Sequence, residues 1–282
     1  MNGRERLTNM IYSRPIDRLS WTTIVDDTTR SIMSESLRNM NIMDFYRYIG
    51  CDIFQFGNAS LKSEEFLKYP YKFSTPEIIE EKEYIDNKGY TVLVRKTDYG
   101  DLTSYKKNGR PVGHPVQNIE DVRILKKIWN NAEYILDDDG CAESYERMNE
   151  MIGNDGIYIP ISEPSPIQTL IEYEMGLENF YYMLNDYETE MEELLSIMNY
   201  VKMQEYTIMA EKMPFIACIP VENTSTALTS PKIYKKYCVP FMRDFVDLMH
   251  KNNKKAILHM CGHLNNILSE IKENLRKRYY PL

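Results

Sequence analysis

The stretch SPKIYKKYCVPFMRDFVDLMHKNNKKAILHMCGH, residues 230–263, decides how the rest of the chain is read. Ser230 suits a helix N-cap, because its oxygen can accept a backbone N–H that has no partner inside the helix. Pro231 suits the first helical position, where a missing N–H costs nothing. Ile233, Tyr237, Phe241, Phe245 and Leu248 then recur at fours and a three, the spacing of one apolar helix face. Pro240 removes a rung of the hydrogen-bond ladder and predicts a kink. The short apolar run Lys255–Met260 reads as a buried strand, and Leu264–Leu275 as a further helix.

Working outward, the same alternation continues. Phe215–Val221 reads as a strand. Leu177–Lys212 is strongly helical, with Leu184, Met191, Leu195, Met198 and Val201 on one side and a break expected near Asn185-Asp186. Gly156–Ile161 is another strand, and this order predicts an α/β protein with parallel strands. Nearer the N-terminus, Leu19–Val25 and Cys51–Phe56 are strand candidates, while Met33–Met43, Asp44–Ile49 and Ile119–Trp129 have helical spacing. Thr91–Lys96 and Leu102–Lys106 flank Tyr99-Gly100-Asp101 and predict a hairpin excursion. No G-x-G-x-x-G follows a strand, which counts against an open dinucleotide-binding sheet. The expected architecture is a (β/α)8 barrel of the TIM type in a single domain over residues 1–282. About five barrel-type strands are legible where a closed barrel needs eight, so the barrel is expected to be incomplete on its C-terminal side. Lys255–Met260 and Leu19–Val25 would border the gap, and self-association through that open edge is expected.

Composition narrows the function. A formal net charge of −8, with basic and acidic residues intermixed, does not suit a nucleic-acid binder. No segment is apolar enough to span a bilayer, and the N-terminal residues lack the apolar core of a secretory signal, so a cytoplasmic location is expected. The five cysteines, Cys51, Cys141, Cys218, Cys238 and Cys261, are odd in number and irregularly spaced, which is not a disulfide framework.

Chemistry concentrates at the end of the strand Lys255–Met260. On a strand, residues two apart share a face, so His259 and Cys261 project together and Met260 points to the helix layer. Parallel α/β proteins place their chemistry at the C-terminal ends of strands. Imidazole plus thiolate is a zinc-type donor pair, although spacing alone leaves open a core histidine and a buried cysteine before a glycine turn. Glu222, at the end of the Phe215–Val221 strand, could reach the same mouth as a catalytic or ligand carboxylate; ordinary loop solvation is the alternative. Cys218 lies deeper and reads as core. His114 in a Gly-His-Pro turn, His250 near a helix end, His263 and the run Asp137-Asp138-Asp139 read as structural or solvated. Neither a G-x-S-x-G elbow nor a phosphate loop is present.

Ser230-Pro231-Lys232-Ile233-Tyr234, the mid-helix Pro240 and His259-Met260-Cys261-Gly262, in that order, resemble the uroporphyrinogen decarboxylase superfamily. So do Arg4-Glu5-Arg6-Leu7 with Pro15-Ile16-Asp17-Arg18, and the hairpin Arg95-Lys96-Thr97-Asp98-Tyr99-Gly100-Asp101-Leu102. The resemblance is closer to the zinc-dependent methyltransferases of that superfamily than to its true decarboxylases, whose R-Q-A-G-R-Y segment this sequence lacks. It implies zinc held by His259 and Cys261, with a third ligand, a cysteine, expected further downstream. The implied reaction is methyl transfer between a corrinoid protein, or a small methylated donor, and a thiol. Cofactor-free decarboxylation of a tetrapyrrole and an inactive, truncated barrel are the alternatives.

Overall fold

The computed structural model describes residues 1–213, 216–220 and 225–276. Its strands are β1 (Ile53–Phe56), β2 (Tyr71–Ser74), β3 (Glu80–Ile85), β4 (Thr91–Thr97), β5 (Gly100–Lys107), β6 (Arg110–Gly113), β7 (Glu133–Leu136), β8 (Gly156–Ile159), β9 (Ile216–Pro220) and β10 (Lys255–His259). β1 pairs in parallel with β8, Phe54 opposite Ile157 and Phe56 opposite Ile159. β9 pairs in parallel with β10, Pro220 opposite His259. β8 lies beside β9. In a flat sheet the outer two of four adjacent strands would stand about 14 Å apart. Instead the rings of Phe56 and His259, on those outer strands, have centroids 5.5 Å apart. Ile257 of β10 joins Phe54, Phe56, Ile157, Ile159 and Ile11 in one apolar cluster. The parallel strands therefore bend round a shared apolar face, with alternate residues such as Tyr158, Ala256, Leu258 and Met260 turned to the helices.

Among the described residues the sheets are short and do not close. Leu19–Val25, expected as a further parallel strand, is not one. Leu19, Trp21 and Ile24 are exposed, and the segment meets β1 through the Asp52 N–H donated to the Trp21 carbonyl at 3.1 Å. Apolar spacing alone makes no strand without a ladder to join. Four parallel strands are thus described where five were expected. The outer edge of β10 borders a groove of about 960 Å³ lined by Ile11, Tyr12, Ile257, Leu268 and Ile271.

The expected hairpin is the centre of a larger sheet, β3-β4-β5-β6, all antiparallel. β3 was missed because all its residues are exposed, leaving no apolar period to read. β2 and β7 form a separate antiparallel pair. The helices are closer to expectation. The break in Leu177–Lys212 falls at Tyr187, between Leu177–Asp186 and Glu188–Lys212. Ser230 caps its helix, its hydroxyl accepting the Ile233 N–H at 3.3 Å. The kink expected of Pro240 takes the form of a π-helical turn over Tyr234–Cys238, just before Val239–Lys251. A wider turn absorbs both the missing N–H and the ring's clash with the preceding turn.

Two family-like motifs prove to be structural clamps. Arg6 of the N-terminal motif is buried against Asp52, at the entrance of β1, and also donates to Asp17. Asp52 further accepts from Arg18 and Ser20. A charge cluster at the N-terminal end of a strand serves stability rather than chemistry. In the hairpin motif, Arg95 makes a bidentate pair with Glu174, which is 7% exposed, at 3.0 and 2.5 Å. This fixes the antiparallel sheet to the segment after β8. Removing one partner of a buried pair leaves an uncompensated charge, so Glu174→Ala should cost about 3 kcal/mol. The double variant Arg95→Met/Glu174→Met should recover most of that loss. Urea unfolding of the three proteins checks it, and equal loss in the single and double variants would contradict it.

Candidate active site

β10 carries His259 to the C-terminal end of the parallel strands. Two residues on, the Cys261 sulfur stands 3.3 Å from His259 Nε2. The strand-like spacing of the two residues therefore does bring them together. Gly262 makes the following turn at φ 88°, a left-handed conformation that favours glycine. A β-carbon there would also lie 2.5 Å from Ser225 Cβ. Ser225 Oγ accepts the His263 N–H at 3.1 Å, and Thr226 donates from its backbone and its hydroxyl to the His263 carbonyl, each at 2.9 Å. The loop after β9 is in this way tied to the loop that presents Cys261.

Across the curved face, Phe56 at the end of β1 packs on the His259 ring. Sequence reasoning missed this residue. Its signal was its place at the end of the CDIFQF strand, one more strand end converging on the same mouth. The floor beneath is apolar: Phe54, Ile157, Ile159 and Ile257. Cys261 is exposed at the mouth, whereas Cys51, Cys141 and Cys238 are buried. Burial raises the thiol pKa of all three, that of Cys238 to about 12, which keeps them protonated and inert. Glu222 lies outside the described residues, as does the Cys218 side chain.

The remaining candidates have structural surroundings. His114 Nε2 is 3.2 Å from the Glu172 carbonyl. Asp137 pairs with Lys72, and the Asp138 carbonyl accepts the Cys141 N–H in a turn. A sulfur and an imidazole nitrogen suit zinc. They are two of the three protein ligands usual at a catalytic zinc, and among the described residues no group of three or more His, Cys, Asp or Glu is placed to hold a metal. His259 and Cys261 fit zinc as a partial donor set.

The sequence model of the uroporphyrinogen decarboxylase (URO-D) family matches residues 105–277. Among solved structures, a methyltransferase from Methanosarcina mazei superposes with a TM-score of 0.52 at 13% identity, over 98% of this chain and 74% of that one. That likeness speaks for the fold. None of the curated proteins matches the sequence. No described helix is long and apolar enough to cross a membrane.

Proposed function

This chain belongs to the uroporphyrinogen decarboxylase family, and from that premise we propose that it is a methyltransferase acting on a thiol. The observation that carries the reading is the His259–Cys261 pair, 3.3 Å apart at a strand end, above an apolar floor. His259 and Cys261 would hold zinc, with Glu222 as a further ligand or polar contact and a third protein ligand from elsewhere. Zinc bound there would lower the pKa of a thiol and keep it as a thiolate. A thiolate so held would be the nucleophile toward the methyl carbon of the donor, a methylated corrinoid on a partner protein or a small methylated compound. The sulfur–carbon bond forms as the donor's bond to that carbon breaks, and the bonding pair leaves with the donor. Phe56, packed on the His259 ring, limits how far that ring can turn, and with the apolar floor forms one side of the site.

Decarboxylation of a polyacidic tetrapyrrole would call for cationic side chains at the mouth. Phe56 beside His259 and the floor of Phe54, Ile157, Ile159 and Ile257 beneath it are apolar instead. The test is incubation of the zinc-supplemented protein with methylcobalamin and a small thiol, reading the methyl thioether by mass spectrometry. Outer-shell partners of a metal are worth about 10–100-fold in activity, so loss of a direct ligand in Cys261→Ala should cost at least about 100-fold. An unchanged rate in Cys261→Ala would refute the assignment. Carbon dioxide release from uroporphyrinogen would favour the decarboxylase, and no turnover of either substrate an inactive barrel.

A further inference from the structure

We propose that Glu205 is a positioning residue for the loop after β8, closing a proton-sensitive clamp on one lip of the mouth. The clamp requires no assumption about methyl transfer. Glu205 and Tyr206 are consecutive in the Glu188–Lys212 helix and both are 0% exposed. Together they hold both backbone groups of Glu163. Glu205 Oε1 accepts the Glu163 N–H at 2.8 Å, and the Tyr206 hydroxyl donates to the Glu163 carbonyl at 3.4 Å. The same Oε1 accepts from the Tyr71 hydroxyl of β2 at 3.0 Å. Two residues before Glu163, the Ile161 N–H donates to the Tyr69 hydroxyl at 3.0 Å. This loop continues directly from Ile159, whose carbonyl accepts the Gly57 N–H at 2.9 Å, next to Phe56 and hence next to His259.

Glu205 Oε2 is buried and has no hydrogen-bond partner. A buried carboxylate oxygen without a donor is costly when ionised and tolerable when the group is neutral. Desolvation raises the carboxyl to about 7. The facing groups act on it in both directions. Lys202, fully buried on the same helix and 5.4 Å from the centre of the Trp129 ring, favours ionisation, as do the bonds from Tyr71 and the Glu163 N–H; the Glu163 charge opposes it. Tyr71, Tyr134 and Tyr206 are held far above the ordinary tyrosine range by burial and stay neutral. Burial lowers the Lys202 ammonium from its ordinary value. The neutral carboxyl keeps Oε1 as an acceptor for both donors. The sign follows from the raised value: the clamp is fully closed in the ordinary carboxylate range and loosens as pH rises through about 7, when opening lets water reach the anion.

Amide hydrogen exchange of the intact chain tests this. The readout is the protection factor of the Glu163 amide relative to that of Met198, buried in the same helix. Between about pH 6 and about pH 8.5 the ratio should fall by about tenfold in the wild type. In Glu205→Gln, which keeps an acceptor oxygen and cannot ionise, it should stay flat. In Tyr71→Phe, which removes a donor to the anion and so raises the carboxyl further, the fall should extend to higher pH. Should Glu205→Gln not fold, the wild-type and Tyr71→Phe profiles still decide. A flat wild-type ratio, a parallel fall in Glu205→Gln, or an unmoved profile in Tyr71→Phe would overturn the proposal.

Discussion

Gly156→Ala should cost at least about 4 kcal/mol of stability, the range reserved for severe backbone conflicts, and leave little soluble protein. Gly156 sits opposite Ile53 where β1 and β8 begin. A β-carbon there would stand 1.8 Å from the Ile53 carbonyl oxygen and 2.5 Å from Ile53 Cβ. A backbone carbonyl in a ladder cannot rotate aside as a side chain can, so the two strands must part. Parting them would also disturb Arg4, whose Nε donates to the Gly156 carbonyl at 3.3 Å. It would pull apart the floor beneath His259, because Phe54 and Ile157 are register partners one residue on. Soluble yield and the urea midpoint are the measurements. A folded Gly156→Ala protein with an unchanged midpoint would show that β1 and β8 do not pair in this register.

How much of this was legible follows from what each residue signals locally. The helix opened by Ser230-Pro231, the strand Lys255–His259 and the break near residue 186 rest on caps, apolar period and proline geometry, all of which act within a few residues. The placing of His259 beside Cys261 needed only the period of a strand. What could not be read depends on partners distant in sequence. Leu19–Val25 has strand composition, yet among the described residues no strand ladder includes it. β3 is exposed along its length and is a strand because β4 is there to pair with it. Phe56 reaches His259 only because the strands bend, and no local pattern encodes that curvature. The Glu205 clamp joins a helix, a loop and β2, whose residues lie up to 134 positions apart.

The central claim is that His259 and Cys261 form the metal end of a thiol-binding site, and its largest expected effect is on metal affinity. The imidazole and the sulfur, 3.3 Å apart, can share one metal after a small separation of the two. The described residues supply two ligands of the three usual at a catalytic zinc. Zinc should therefore be substoichiometric in the purified chain, and metal must be added in excess to fill the site. Losing either ligand removes half of that set, so His259→Ala or Cys261→Ala should weaken binding by at least about 100-fold, beyond the loss typical of an outer-shell partner. Cys51, Cys141 and Cys238 cannot substitute, because burial keeps their thiols protonated. The most direct measurement is a titration with cobalt(II), which occupies zinc sites and reports thiolate ligation in its absorption spectrum, followed by addition of a small thiol. The wild type should develop a thiolate-to-cobalt band that strengthens when the thiol is added, and Cys261→Ala should develop none before the thiol. No band in the wild type, or the same band in Cys261→Ala, would contradict the account.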